Sequence, residues 1–147
     1  MFLPDVNVLI YAHRKDAEEH AAYASWLRRL VEGREPFAMS ELVLVGFLRI
    51  TTNARAFRVP TPSDVALAFV DEICRKPGCR LVRPGERHFE IFRDLYKVTG
   101  AVGARIADLQ HAAVAIEHGC EWVTCDADFA RIPDLRWRHP LQAPTRR

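Results

Sequence analysis

Apolar residues follow two patterns along this chain: short unbroken runs, and longer stretches in which they recur every three or four positions. Phe2 and Leu3 form the first run, stopped by Pro4 and Asp5, after which Val6, Leu9, Ile10 and His13 fall at helical spacing. A strand tip therefore delivers Asp5 into the start of a helix. Residues 16–32 carry a stripe of Ala17, Ala21, Ala24, Leu27, Leu30 and Val31 with Gly33 as its stop, which predicts a second helix. A short strand follows over 36–39, and Ser40 is placed to cap a helix running to about Asn53. Residues 53–62 hold Arg55, Arg58, Pro60 and Pro62 without periodicity and read as a loop.

Ser63 is the expected cap of a helix over 64–75. A third strand spans 79–82, and a helix over 86–98 uses Phe89, Phe92, Leu95 and Tyr96 as its apolar face. After the 100–103 loop, residues 105–118 return to helical spacing through Leu109, Ala112, Ala113 and Ile116, with Gly119 as the stop. Residues 121–125 form the fourth strand and 135–138 a fifth. Strands alternating with helices predict an α/β fold, a central parallel sheet of four to five strands reached by right-handed crossovers and covered on both faces. The whole of 1–147 reads as one domain, since about 70% of the unfolded surface of such a chain can be buried in one core.

Composition narrows the picture by exclusion. At 49% hydrophobic and 27% charged, the chain is neither disordered nor membrane-spanning in character. Its first ten residues lack a secretory pattern because Asp5 interrupts them, so the expected location is the cytoplasm. The net charge of +2 is neutral on nucleic-acid binding. Cys74, Cys79, Cys120 and Cys125 form two C-x₄-C pairs, a spacing loosely compatible with zinc, but they lie in or beside apolar runs and read as structural thiols.

The chemistry concentrates at strand ends. Asp5 closes the first strand, Glu41 follows the second, Asp126 follows the fourth, and Asp108 occupies the first turn of a helix that opens at the same edge. Ligands of parallel sheets bind at that carboxyl edge. Clustered carboxylates repel one another unless a cation neutralises them, so the set is a natural site for Mg²⁺ or Mn²⁺. Each residue alone has an ordinary use as a cap or a first-turn acid. His111, one turn beyond Asp108, is a weaker candidate for a base. Arg49, Arg55 and Arg58 are weak candidates for tracking an RNA backbone, and Trp137 reads as core rather than as a stacking platform. Tyr23 and Trp26, on the second helix, offer apolar surface beyond what that helix needs for its own core contact.

Four segments carry a resemblance: DVNVLIYA at 5–12, SELVLVGFLRITTN at 40–53, ADLQHAAVAIEHG at 107–119 and TCDADFAR at 124–131, closing with LRWRHPL. Together they resemble a PIN-domain ribonuclease, more narrowly the VapC toxins of bacterial toxin–antitoxin pairs. The resemblance implies a three-layer α/β/α fold, Mg²⁺-dependent cleavage of RNA, a homodimer and a cognate antitoxin protein. It assigns Asp5, Glu41, Asp108 and Asp126 to the metal-binding set, adds Asp128 as a further candidate, and gives Asn7 and Thr124 supporting positions beside them. Gly103-Ala104, Leu109 and Cys125 depart from the pattern without removing a carboxylate. Two alternatives stay open: a phosphatase with Asp5 as nucleophile, and a non-catalytic module binding RNA or protein.

Overall fold

The computed structural model describes residues 1–142, and every strand pair in it is parallel. The elements run β1 (Phe2–Pro4), α1 (Val6–His13), α2 (His20–Glu32), β2 (Phe37–Ser40), α3 (Glu41–Thr51), α4 (Ser63–Cys74), β3 (Cys79–Val82), α5 (His88–Thr99), α6 (Arg105–Glu117), β4 (Glu121–Val123) and β5 (Trp137–Arg138), with a 3₁₀ turn over Ala127–Arg131 before β5. Strand β4 lies between β1 and β5, with Pro4 opposite Val123 and Val123 opposite Arg138. Strand β2 pairs with β3, Ser40 opposite Val82. Because β1 packs beside β2, the strands stand in the order β3-β2-β1-β4-β5, hydrogen-bonded as a group of three and a group of two.

The main core gathers Leu3, Leu9, Phe37, Met39, Phe47 and Trp122, all without exposure, from strands and from α1 and α3. A second cluster joins Leu95 of α5 to Leu109, Ala112 and Ala113 of α6. Gly46 sets how closely α3 approaches α1: a Cβ there would sit 3.0 Å from Val6 Cγ2. That contact holds the helix opened by Asp5 against the helix opened by Glu41.

Several boundaries differ from the sequence expectation, each for a tertiary reason. Helix α2 begins at His20 and not at 16, because Glu19 adopts a left-handed φ of 54° and Asp16 is turned back onto Arg14, with contacts of 2.9 and 2.6 Å. Helix α5 begins at His88 and not at 86, since the Glu117 carboxylate accepts the N–H groups of Gly85 and Arg87 at 2.8 and 2.9 Å. Ser40 caps α3 as expected, its hydroxyl accepting from Leu42 N–H at 3.2 Å. Ser63 does not cap α4; it is the first helical residue, and Pro62 precedes it.

Arg14 is only 8% exposed and anchors the loop after α3. It donates to Val59 O at 3.0 Å and to Thr61 Oγ1 at 3.4 Å, and its guanidinium lies 3.9 Å from the centre of the Phe57 ring. The fifth strand is reduced to two residues, where Trp137 is half-buried against the core and Arg138 pairs with Glu121 at 2.6 Å. Tyr23 is buried against Tyr11, and Trp26 is partly buried on the core, so α2 has little spare apolar surface in this pair. The larger exposed apolar side chains include Val65 and Leu67 of α4 and Phe89 and Tyr96 of α5.

A candidate active site at the carboxyl edge of the sheet

Asp5 and Asp126 lie just beyond the carboxyl ends of the parallel pair β1 and β4, Glu41 lies just beyond that of β2, and Asp108, at the start of α6, is close enough to act on Asp5 by its charge. Asp5 is the most constrained of the four. Its backbone N–H continues the β1–β4 pairing by donating to Val123 O at 2.8 Å. Its Oδ1 caps α1 by accepting Val6 N–H at 2.6 Å. Its Oδ2 accepts from the Thr124 hydroxyl at 2.6 Å and from Asn7 Nδ2 at 2.9 Å.

Asn7 and Thr124 both donate to the Asp5 carboxylate. Asn7 Nδ2 also reaches Thr124 Oγ1 at 3.0 Å, and that same oxygen accepts the N–H of Asp126 at 3.0 Å. One hydroxyl thus ties the end of β1 to the turn after β4. Asp126 in turn accepts Asp128 N–H at 2.8 Å and starts the 3₁₀ turn.

Asp5 is 7% exposed, and burial is the main reason its carboxyl rises from 3.8 to about 6. The hydrogen bonds from Thr124 and Val6 oppose the rise, while the charges of Asp108 and Asp126 add to it. Asp108 is also raised, first by burial and then by Asp126, with Arg105 opposing and Asp128 adding. Three carboxylates from three elements therefore act on one another through space.

Glu41 and Asp128 are placed differently. Glu41 is turned to Arg83, just beyond β3, at 2.9 Å. Asp128 takes Arg105 at 3.0 Å and Arg131 at 4.0 Å. Those three arginines went unnoticed in the sequence, although Arg105 and Asp108, and Asp128 and Arg131, have the three-residue spacing of neighbours on a helical turn.

Among the described residues, no three acidic, histidine or cysteine side chains stand close enough to hold one metal ion together. The donor chemistry nonetheless fits a hard divalent cation. Asp5, Asp108 and Asp126 offer only carboxylate oxygens, and their mutual repulsion is the cost that a cation would remove.

The other candidates fall elsewhere. His111 is stacked on Trp122 with ring centres 5.4 Å apart, and burial lowers it to about 4. Its Nδ1 and Trp122 Nε1 are buried without a partner among the described residues. His111 is thus turned toward Trp122, with burial disfavouring its charged form. Arg49 lies in the last turn of α3, and Arg55 and Arg58 lie on the loop that Arg14 holds at the far end of α1 from Asp5. Cys74 and Cys79 contact each other, whereas Cys125 lies by Tyr23 and Asp5, so the cysteines do not converge. Asp5 is also poorly presented as a nucleophile, having both oxygens engaged in hydrogen bonds.

This fold is that of a PIN domain: the family's model matches residues 2–135, and the chain belongs to that family. Within it, the chain groups with the VapC ribonucleases. It is 46% identical over 145 residues to Ribonuclease VapC43 of Mycobacterium tuberculosis, covering 99% of both chains. It is 41% identical over 140 residues to Ribonuclease VapC25 of the same organism, covering 95% of this chain and 99% of that one. Among solved structures, VapBC2 from Rickettsia felis, bound to a DNA fragment from its promoter, matches with a TM-score of 0.70 over 94% of this chain and 97% of that chain. At 18% identity, that match speaks for the fold.

Proposed function

We propose that this chain is a divalent-metal-dependent endoribonuclease and the toxin of a toxin–antitoxin pair, acting in the cytoplasm. The observation that carries the reading is the buried Asp5, raised to about 6 and repelled by Asp108 and Asp126, at the carboxyl edge of a PIN-domain sheet. The names of VapC43 and VapC25, both ribonucleases, supply the substrate class.

Asp5, Asp108 and Asp126 would hold Mg²⁺ or Mn²⁺, with Glu41 joining once it leaves Arg83. When bound, such a cation lowers the pKa of water and offsets charge on the scissile phosphate. The protein's own contribution is orientation: Thr124 and Asn7 fix the Asp5 carboxylate, and Thr124 also fixes the backbone of Asp126.

The reading includes a second copy of the chain and an antitoxin protein, both implied by the resemblance to VapC toxins. The exposed apolar side chains of α4 and α5, including Phe89 and Tyr96, each stacked on the half-buried Phe92, are available to them. No helix among the described residues is long and apolar enough to cross a membrane.

The test is cleavage of total RNA by purified protein in Mn²⁺ and in EDTA, with Asp108→Asn alongside. Cleavage should require the metal and fall at least ~100-fold in the variant, whose circular dichroism should be unchanged. Full metal-dependent activity in Asp108→Asn would remove Asp108 from the site.

A further inference from the structure

Beside Asp108 the surface opens into a cavity of about 320 Å³. Ala101, Leu109, Phe129 and Ile132 give it apolar walls, and the first three are buried in the fold. Val98, 74% exposed, stands at its open side. Two cations complete the lining: Arg105 and Arg131 both reach toward Asp128, which holds them at the rim. A guanidinium carries five N–H donors, so one carboxylate leaves each arginine with donors to spare.

An apolar slot with two arginines at its rim, opening directly onto Asp108, has the chemistry of a nucleotide subsite. The slot suits the faces of a base, and the guanidinium groups suit the flanking phosphates. Its volume lies within the range of small-ligand pockets, roughly 300–1,000 Å³, and is ample for one base. A base inside a continuous duplex cannot enter, because its faces are covered by the stack.

We infer that this cavity receives a single unstacked base of the RNA, next to the phosphate that is cut, and that Arg105 and Arg131 take the adjoining backbone. Asp128 is then a positioning residue for the two arginines. The inference rests on the ribonuclease reading above and adds a specificity element to it.

The test uses hairpin RNAs with a fixed stem and a randomised loop, cut by the full chain in Mn²⁺. Once a cut site is mapped, each nucleotide around it is replaced in turn by an abasic residue. One position should lower kcat/KM by about tenfold or more, the scale of losing one stacked base, while the others change little. Val98→Trp, which fills the open side from an exposed position, should cut the intact hairpin with a similar deficit and lose sensitivity to that abasic position. Arg131→Glu should weaken cleavage and flatten its salt dependence. Equal cutting of all abasic hairpins, or wild-type behaviour of Val98→Trp, would overturn the subsite while leaving ribonuclease activity standing. If the wild-type chain cuts no RNA in Mn²⁺, the ribonuclease reading falls and this inference falls with it.

Discussion

Replacing Asp5 by Asn should make the metal-free protein more stable at alkaline pH, although Asp5 is the best-held residue of the site. The folded Asp5 carboxyl sits at about 6 and the ordinary value is 3.8, so folding favours its protonated form. Below 3.8 the residue is neutral in both states and costs nothing. As pH rises through about 6 it ionises in a buried site, and the stability it allowed is lost. At about 1.4 kcal/mol per pH unit, that interval corresponds to about 3 kcal/mol at pH 8.

Asn carries no charge, so it escapes this penalty. It forfeits the acceptor Oδ2, because its amide nitrogen would face both the Asn7 Nδ2 donor and the Thr124 hydroxyl, a loss of about 1–2 kcal/mol. The net expectation is a gain of about 1–2 kcal/mol at pH 8 in EDTA, shrinking and reversing below pH 4. Urea unfolding of both proteins between pH 4 and 8 measures the difference directly, and subtraction cancels other titrations common to both. Added Mn²⁺ should raise the wild type and leave Asp5→Asn nearly unmoved. A wild-type minus variant difference that stays constant from pH 4 to 8 would refute the raised carboxyl, and with it the electrostatic argument for a cation.

Three further perturbations probe the supports of the site. Thr124→Val removes the hydroxyl that donates to Asp5 and accepts from Asp126, and should cut metal-dependent cleavage by about 10–100-fold in a Mn²⁺ titration with little change in fold. Gly46→Val places a branched side chain where even a Cβ lies 3.0 Å from Val6, and should cost about 1–3 kcal/mol in urea melts while lowering activity by displacing α1. Arg14→Leu leaves Val59 O and Thr61 without their donor, and limited proteolysis should then cut residues 53–61 faster than in the wild type, with stability down by about 1–3 kcal/mol.

The order of helices and strands, and the placing of Asp5, Glu41 and Asp126 just beyond strand ends, were legible in the chain alone. Helical spacing and short apolar runs are local signals, and a parallel sheet sends the residue after each strand to the same edge. Asp5 and Asp126 could therefore be named from strand ends, whereas Asn7 and Thr124 came from the resemblance.

What tertiary structure decided is the state of those residues. No local pattern encodes that Asp5 would lose its solvent, because the loss comes from packing among elements distant in the chain. Nor does one encode the pairing of Glu41 with Arg83 or of Asp128 with Arg105, partners 42 and 23 positions away. The same holds for the early limits of α2 and α5, where Arg14 and Glu117 reach back to capture backbone or side chain that periodicity assigned to a helix. His111 shows it most simply: its place one turn beyond Asp108 suggested a base, and the face of α6 it occupies turned it onto Trp122. Sequence spacing specifies which side chains share an edge; burial and the charges that fold in beside them determine which remain charged, which are paired and which are withdrawn into the core.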